Sequence, residues 1–528
     1  MTDRNSRLLV VLAVWLSFLA VSLANAPIPA VNEPHYLTKA RHFWDSRWCA
    51  GDLFLTSFPA HRVFYSTFGW LTLHFDFSTV AFIGRVLSNG LLAASWTSLL
   101  TRLQSIRHGS ETDDRRACWQ VLLSAWLFLG LQAIGNLSGE WLIGGFESKV
   151  LAYAFVFWSI TALLDERLIR AAAFGGIAIS FHPIVGLWHV AACRIAEVVR
   201  RPRTAISRKQ SLIADTVLFV TALPGLWPAV QMLREADPKH SYAANFIQVF
   251  YRLKHHLDPM DFRLNSYLGY LVLAVIVVCG FLIERNQATT AVRGRWWIGY
   301  LAATALFALG GYLAGVGPRP AELMTGYRWR MVLLKFYPFR LFDLFLPITV
   351  AMFLPSWLRT AATQANHSVS RRVFSARWLW MIGGAGMIWA MTAHQVFPPP
   401  NRLPPQMKAD WLDACRWVAK NSPADAVFHT PFEAEAFKWH AQRAEYVNNK
   451  DCPQDAAGLV EWNRRQRLIT KWSDASFKND QAYTAKELRE LVRKTGVRWA
   501  ITRTRVHYDA DLLYQNDTYK ILWLPDDK

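Results

Sequence analysis

The chain has 528 residues, of which 52% are hydrophobic and 14% aromatic against only 18% charged. That balance excludes a single soluble domain, and the apolar residues gather into blocks of about 17 to 25, the length a helix needs to cross a bilayer's hydrocarbon core. The net charge of +19 comes from Lys and Arg dispersed between those blocks, as at Arg200, Arg201 and Arg203 or Arg371 and Arg372; it reads as the cytoplasmic cation excess of a membrane protein and not as a nucleic-acid footprint, which would gather into one basic face.

The first apolar block, Leu8 to Ala24, follows Arg4 and Arg7. Ala24-Asn25-Ala26 offers a small-x-small cleavage pattern, but the run is long for a signal peptide and is followed by a segment dense in aromatic and ionisable residues, which favours an uncleaved first helix. Further blocks at 79–100, 119–135, 150–164, 169–181, 184–199, 211–231, 266–283, 296–315, 342–358 and 378–394 predict about eleven spans, the fifth and sixth divided only by His182-Pro183. A cytoplasmic N-terminus puts Arg102, Arg107, Arg115, Arg116, Arg167, Arg170 and the stretches 194–209, 285–295 and 359–377 on the inner side. The segments 27–78, 136–149, 232–265 and 316–341 are then outer loops, and an odd number of spans places the C-terminus outside.

The expected division is a helical membrane domain over 1–397 and an extracytoplasmic domain over 398–528, joined at Pro398-Pro399-Pro400, a stiff linker. Asp410 to Lys420 reads as an amphipathic helix with Trp411, Ala414, Cys415 and Val418 on one side. A strand over Ala426–His429, a helix over Phe432–Gln442, a strand near Tyr446 and a helix over Gly458–Trp472 follow. Thr484 with Glu487 forms a capping box for a helix that ends at Gly496, before a strand over Arg498–Thr502. The fold class is therefore a polytopic α-helical membrane bundle with a C-terminal soluble α/β domain.

Six cysteines show no CxxC pair and no zinc spacing. Cys415 and Cys452 share the soluble domain and could pair in an oxidising compartment or remain two thiols. His182 occupies a tight turn, where an imidazole commonly bonds a free carbonyl, and the adjacent His255 and His256 cannot face one metal from a helix.

The segment with most chemistry is Asn32-Glu33-Pro34-His35-Tyr36-Leu37-Thr38-Lys39-Ala40-Arg41. It places a carboxylate just after the first membrane helix, ahead of an amphipathic stretch along the membrane surface, and ionisable groups at such depth are often functional. Otherwise Glu33 caps the helix and pairs with Lys39 or Arg41. In the loop carrying Glu140 and Glu147, Glu147 could join Glu33 around a divalent cation, Mg or Mn, or Glu147 and Lys149 could anchor a helix start. Arg328, Arg330, Lys335 and Arg340 interleave with aromatic residues, as suits either a lipid phosphate or snorkelling toward membrane lipids.

With its first-loop acid, large outer loops and C-terminal soluble domain, the chain resembles the GT-C superfamily of membrane glycosyltransferases, which use lipid-linked sugar donors and commonly carry Asp-Glu followed by a tyrosine in that loop. Here the pair is Asn32-Glu33, so only the second acid is present. Segments such as Asn32–Leu37, Gly145-Phe146-Glu147-Ser148-Lys149, Phe339-Arg340-Leu341-Phe342-Asp343 and Phe437-Lys438-Trp439 are also similar to an uncharacterised family of bacterial multi-pass proteins. The resemblance implies a bacterial inner membrane, a polyprenyl-phosphate-linked sugar as donor, Glu33 as general base, and His35, Tyr36, Lys149, Arg328, Arg330, Lys335 and Arg340 as substrate contacts. Its rivals are a non-catalytic protein whose C-terminal domain binds a glycan or partner, favoured by Asn32, and a lipid or solute transporter, for which only Arg85 and Asp215 stand mid-span.

Overall fold

The computed structural model describes residues 3–30, 32–108, 114–200, 207–234, 237–284, 293–364, 376–396, 403–432, 436–480 and 482–526. The linker Pro398-Pro399-Pro400 and the cations Arg201, Arg203, Arg285, Arg371 and Arg372 lie outside these residues. The chain divides into two compact units, one of Met1–Ile28, Phe82–Trp227 and Gln248–Phe397, the other of Pro29–Ala81, Pro228–Ile247 and Pro398–Lys528.

The protein is mostly helical, and each predicted apolar block falls in a helix. Six helices among the described residues are long and apolar enough to cross a membrane: Asn5–Asn25, Phe77–Gln104, Arg208–Arg234, Leu264–Glu284, Arg295–Gly315 and Arg340–Ala361. Trp119–Ile134, Ser148–Leu164 and Leu168–Phe181 are apolar but shorter. These helices make the chain an integral membrane protein. The break at His182-Pro183 has a local cause: the proline ring clashes with a helical predecessor, so His182 is extended at φ −145° and ψ 93° and the next helix, Pro183–Arg200, starts on the proline itself.

In the first unit, Asp114–Ile134, Asp3–Asn25 and Ala376–Val396 pack against one another, Ser148–Leu164 lies on Leu168–Phe181, and Leu264–Glu284 lies on Arg340–Gln364. Gly130 meets Gly386 so closely that a Cβ on Gly130 would fall 2.8 Å from the Gly386 Cα, the small-residue contact that lets apolar helices approach where hydrophobic burial gives no drive. Trp96, Trp296, Trp297 and Trp357 are fully buried among them.

In the second unit the helix Glu33–Trp44 is followed by short helices Leu53–Thr56 and Arg62–Phe68. Sequence predicts an amphipathic surface stretch here, yet residues 33–40 are buried without interruption, because their polar side chains find partners inside the unit, Lys39 on backbone carbonyls and His35 on Asp451. The C-terminal part is an α/β layer. Its strands are β1 (Val427–His429), β2 (Ala444–Glu445), β3 (Ala482–Tyr483), β4 (Trp499–Arg503), β5 (His507–Tyr508), β6 (Asp511–Gln515) and β7 (Tyr519–Trp523). The main sheet has order β2-β1-β4-β7-β6, with β1 parallel to β2 and β4, and β7 antiparallel to β4 and β6. The helix Pro405–Asn421 buries Trp411, Ala414, Cys415 and Val418, the face read from the sequence, against Phe428, Ile501, Tyr519 and Ile521. The capping box at Thr484 and the left-handed stop at Gly496, φ 72°, are both present.

Several elements of the C-terminal part differ from the sequence reading. The helix expected over Phe432–Gln442 is Phe437–Ala441, bracketed by left-handed Ala436 (φ 61°) and Gln442 (φ 52°), and residues 433–435 lie outside the described ones. The hairpin β6–β7 has no counterpart in the sequence reading, because a bulge between Leu512 and Tyr514 breaks the period-two alternation that marks a strand.

Candidate functional site

Each unit holds its own buried cluster of charge. In the first unit Arg340 opens the helix Arg340–Gln364, with its Nε 3.0 Å from Glu140 Oε2, its Nη1 3.1 Å from His182 Nε2, and its guanidinium 4.2 Å from the Tyr337 ring centre. Lys149 Nζ lies 3.9 Å from Glu140 Oε1, 3.7 Å from Glu147 Oε2 and 3.8 Å above the Trp141 ring. Glu140 and Glu147 are only 5% and 3% exposed. Asp343, nearly one turn after Arg340, pins the loop that carries Glu140. Its carboxylate accepts the backbone N–H groups of Leu137 at 2.6 Å, Ser138 at 2.9 Å and Glu140 at 2.9 Å, and the Tyr270 hydroxyl at 2.6 Å. His256 Nδ1 is 2.5 Å from the Ser138 carbonyl, and burial, with His255 beside it, lowers the imidazole pKa to about 3, so the ring is neutral at neutral pH.

The structure thus brings Lys149, Glu147 and Arg340 together around Glu140. His182 faces Arg340 where sequence predicts a carbonyl partner. Arg330 is engaged elsewhere: its Nη1 donates to the Leu313 and Val316 carbonyls at 3.3 and 3.2 Å, at the end of Arg293–Gly315. Arg328 is exposed on the same helix, Tyr327–Lys335, and burial lowers the Lys335 ammonium below the ordinary lysine value.

In the second unit Glu33 is fully buried and its Oε2 accepts the Ala30 N–H at 2.8 Å, which turns the carboxylate back onto the start of its own helix. Lys39 Nζ donates to the carbonyls of Phe54 at 2.5 Å, Leu55 at 2.8 Å and Ser57 at 2.6 Å. Arg41 reaches the Thr72 carbonyl and Asp45. The Tyr36 hydroxyl is 3.2 Å from His61 Nε2, and His35 Nδ1 is 3.1 Å from Asp451 Oδ1.

Around Asp451 lies an ionic core that sequence reasoning missed. Lys438 Nζ is 2.7 Å from Asp451, 2.6 Å from Glu445 and 3.1 Å from Asp52, all four residues being buried. Asn448 Nδ2 donates to Glu445 at 2.5 Å, and Asp52 also accepts the Glu445 N–H at 3.1 Å. Burial pulls the Lys438 ammonium down, but Asp451, Asp52 and Glu445 outweigh it and hold it well above the ordinary lysine value. Burial pushes Asp451 up, but Lys438 and the His35 hydrogen bond leave it well below the usual carboxylate range; for Glu445 burial wins and the carboxyl is raised. Three left-handed non-glycine residues, Cys49, Ala436 and Gln442, stand in the segments that deliver Asp52 and Lys438, so backbone strain is held where the charges meet. The sequence signal was Phe437-Lys438-Trp439, a lysine between two aromatic residues.

Glu33 and Glu147 belong to different units. Among the described residues no group of three or more His, Cys, Asp or Glu is arranged to hold a metal ion.

A family described as a domain of unknown function, DUF6798, matches residues 409–469. No curated protein matches the sequence. Among solved structures the chain is similar to the Archaeoglobus fulgidus oligosaccharyltransferase in its apo form, with 10% identity, a TM-score of 0.44, and coverage of 94% of this chain and 69% of that one. It is similar also to that enzyme in complex with zinc and sulfate, at 11% identity and TM-score 0.43, covering 94% of this chain and 68% of that one. The archaeal oligosaccharyltransferase AglB from A. fulgidus, in complex with an inhibitory peptide and a dolichol-phosphate, is similar at 11% identity and TM-score 0.43, covering 94% of this chain and 69% of that one.

Proposed function

We propose that the protein is a GT-C-like membrane glycosyltransferase that moves a sugar from a polyprenyl-phosphate donor to an acceptor on the outer face of a bacterial inner membrane, with the N-terminus cytoplasmic and the C-terminal domain extracytoplasmic. The observation that carries this reading is Glu33: a fully buried carboxylate at the head of the helix that follows the first membrane span, oriented by the Ala30 N–H. In the first-loop motif that the sequence resembles, this is the acid retained.

The chemistry requires an acceptor hydroxyl to attack the anomeric carbon as the bond from that carbon to the phosphate oxygen breaks. Glu33 takes the hydroxyl proton, and the departing phosphate needs positive charge. The Lys149 ammonium lies close to both Glu140 and Glu147 and already balances their charge, so these two carboxylates do not fit a metal.

The test is sugar transfer by the purified full-length protein from a panel of polyprenyl-phosphate sugars. Glu33→Gln keeps the shape and removes the base, and is expected to slow transfer by about 10²- to 10⁴-fold. Transfer by Glu33→Gln at the wild-type rate removes Glu33 from the mechanism. No transfer from any donor by well-folded wild type favours the non-catalytic reading, which Asn32 in place of the first acid also supports.

A further inference from the structure

The sheet of the second unit ends in a groove of about 410 Å³ that the charged clusters do not use, within the ordinary size of a small-ligand site. Trp499 and Trp523 line it as direct partners across the β4–β7 ladder, ring centres 5.1 Å apart at 76°. Both indoles are only partly buried. Two guanidinium groups share the lining: Arg498 lies 4.2 Å from the Trp523 ring centre, and Arg465 lies 4.6 Å from that of Tyr446.

Both groups are fixed before any ligand arrives. Arg498 bonds Asp526 at 2.5 Å and the Leu524 carbonyl at 3.0 Å; Arg465 bonds Glu461 at 2.9 Å and the Tyr446 carbonyl at 2.9 Å. Such preorganisation lowers the ordering cost of binding. It also decides the charge of the ligand. Arg498 is paired with Asp526, Arg465 shares Glu461 with Arg464, and Asp425 stands on the groove wall, so three cations meet three carboxylates and the site offers no excess positive charge to a polyanion.

An aromatic platform beside planar polar groups, without net positive charge, matches one ligand chemistry. A pyranose presents C–H faces that pack on indole and hydroxyl edges that pair with guanidinium and carboxylate groups. We propose that this groove binds a neutral oligosaccharide. Binding there does not require the transfer chemistry, so the site can hold an acceptor glycan or serve a protein that only binds one.

The experiment is calorimetric titration of the full-length protein in detergent with maltotetraose, chitotetraose and mannotetraose, with a heparin tetrasaccharide and an unstructured peptide as controls. Saturable binding of at least one neutral tetrasaccharide is expected. Trp523→Ala and Arg498→Gln should each weaken it about tenfold, and Trp523→Phe, which keeps an aromatic face, should weaken it less. Thermal melting identifies any variant that fails to fold, and the Phe variant then carries the comparison. The proposal is overturned if folded wild type binds no neutral tetrasaccharide, if it prefers the heparin fragment or the peptide, or if Trp523→Ala and Arg498→Gln leave affinity unchanged. Transfer activity is read separately, so failure of the groove and failure of the transferase reading are distinguishable.

Discussion

Lys438 is one ammonium set among Asp52, Glu445 and Asp451 in the interior of the second unit. Removing one member of a buried ion cluster leaves the others charged and dry, at a cost of about 3–5 kcal/mol. Lys438→Met is therefore expected to lower stability by that amount in denaturant melts, and Lys438→Arg to lose less. The pH dependence follows from the direction of each shift. Asp451 is depressed, so its contribution is present above its unfolded pKa of about 3.9 and is lost as pH falls through its folded value. Lys438 is raised, so its contribution is present below about 10.4 and is lost as pH rises through its folded value. Glu445, raised by burial, acts the other way: its charged form costs stability at neutral pH, and protonation relieves that cost. Asp451→Asn should flatten the acid limb of a plot of melting temperature against pH; an unchanged limb would reject the assignment.

The helix Ala485–Thr495 shows how much an element owes to its ends. The Thr484 N–H donates to Glu487 Oε2 at 2.8 Å while Thr484 Oγ1 accepts the Glu487 N–H at 3.4 Å, a box legible from the two residues' spacing. Thr484→Ala should cost about 1 kcal/mol, and Gly496→Ala about 1–2 kcal/mol because φ at 72° drives a Cβ toward the following carbonyl. Both are measured as shifts in melting temperature. Cys415 lies on the helix Pro405–Asn421 and Cys452 packs with Leu459 and Trp462, in a separate core cluster. Both are buried thiols. Mass spectrometry with and without reductant should find no mass difference at this pair, and maleimide should label both only after unfolding; a disulfide-linked peptide would contradict the structure.

At the scale of the whole molecule, three stretches distant in sequence make up the second unit, and its ionic core takes His35 and Asp52 from one and Lys438, Glu445 and Asp451 from another. No periodicity signals such a meeting, because each charge looks like a surface residue in its own segment. Membrane integration, in contrast, rests on six helices whose apolar length is local. The protein should therefore stay with the membrane through alkaline carbonate extraction and leave it only with detergent; release at high pH would contradict these spans.

What the sequence determined by itself is what depends on neighbours along the chain. The apolar blocks, the break at His182-Pro183, the buried face of Trp411, Ala414, Cys415 and Val418, and the capping box are all set by spacing within a few turns. What tertiary structure decided is the company each charge keeps. Glu33 turned onto Ala30, Lys39 caged by carbonyls, Arg330 drawn to a helix end, Lys149 and Arg340 converging on Glu140, and Lys438 among three carboxylates each follow from desolvation. A charge removed from water must take the partner the fold brings within reach, and that partner is fixed by packing across long sequence separations.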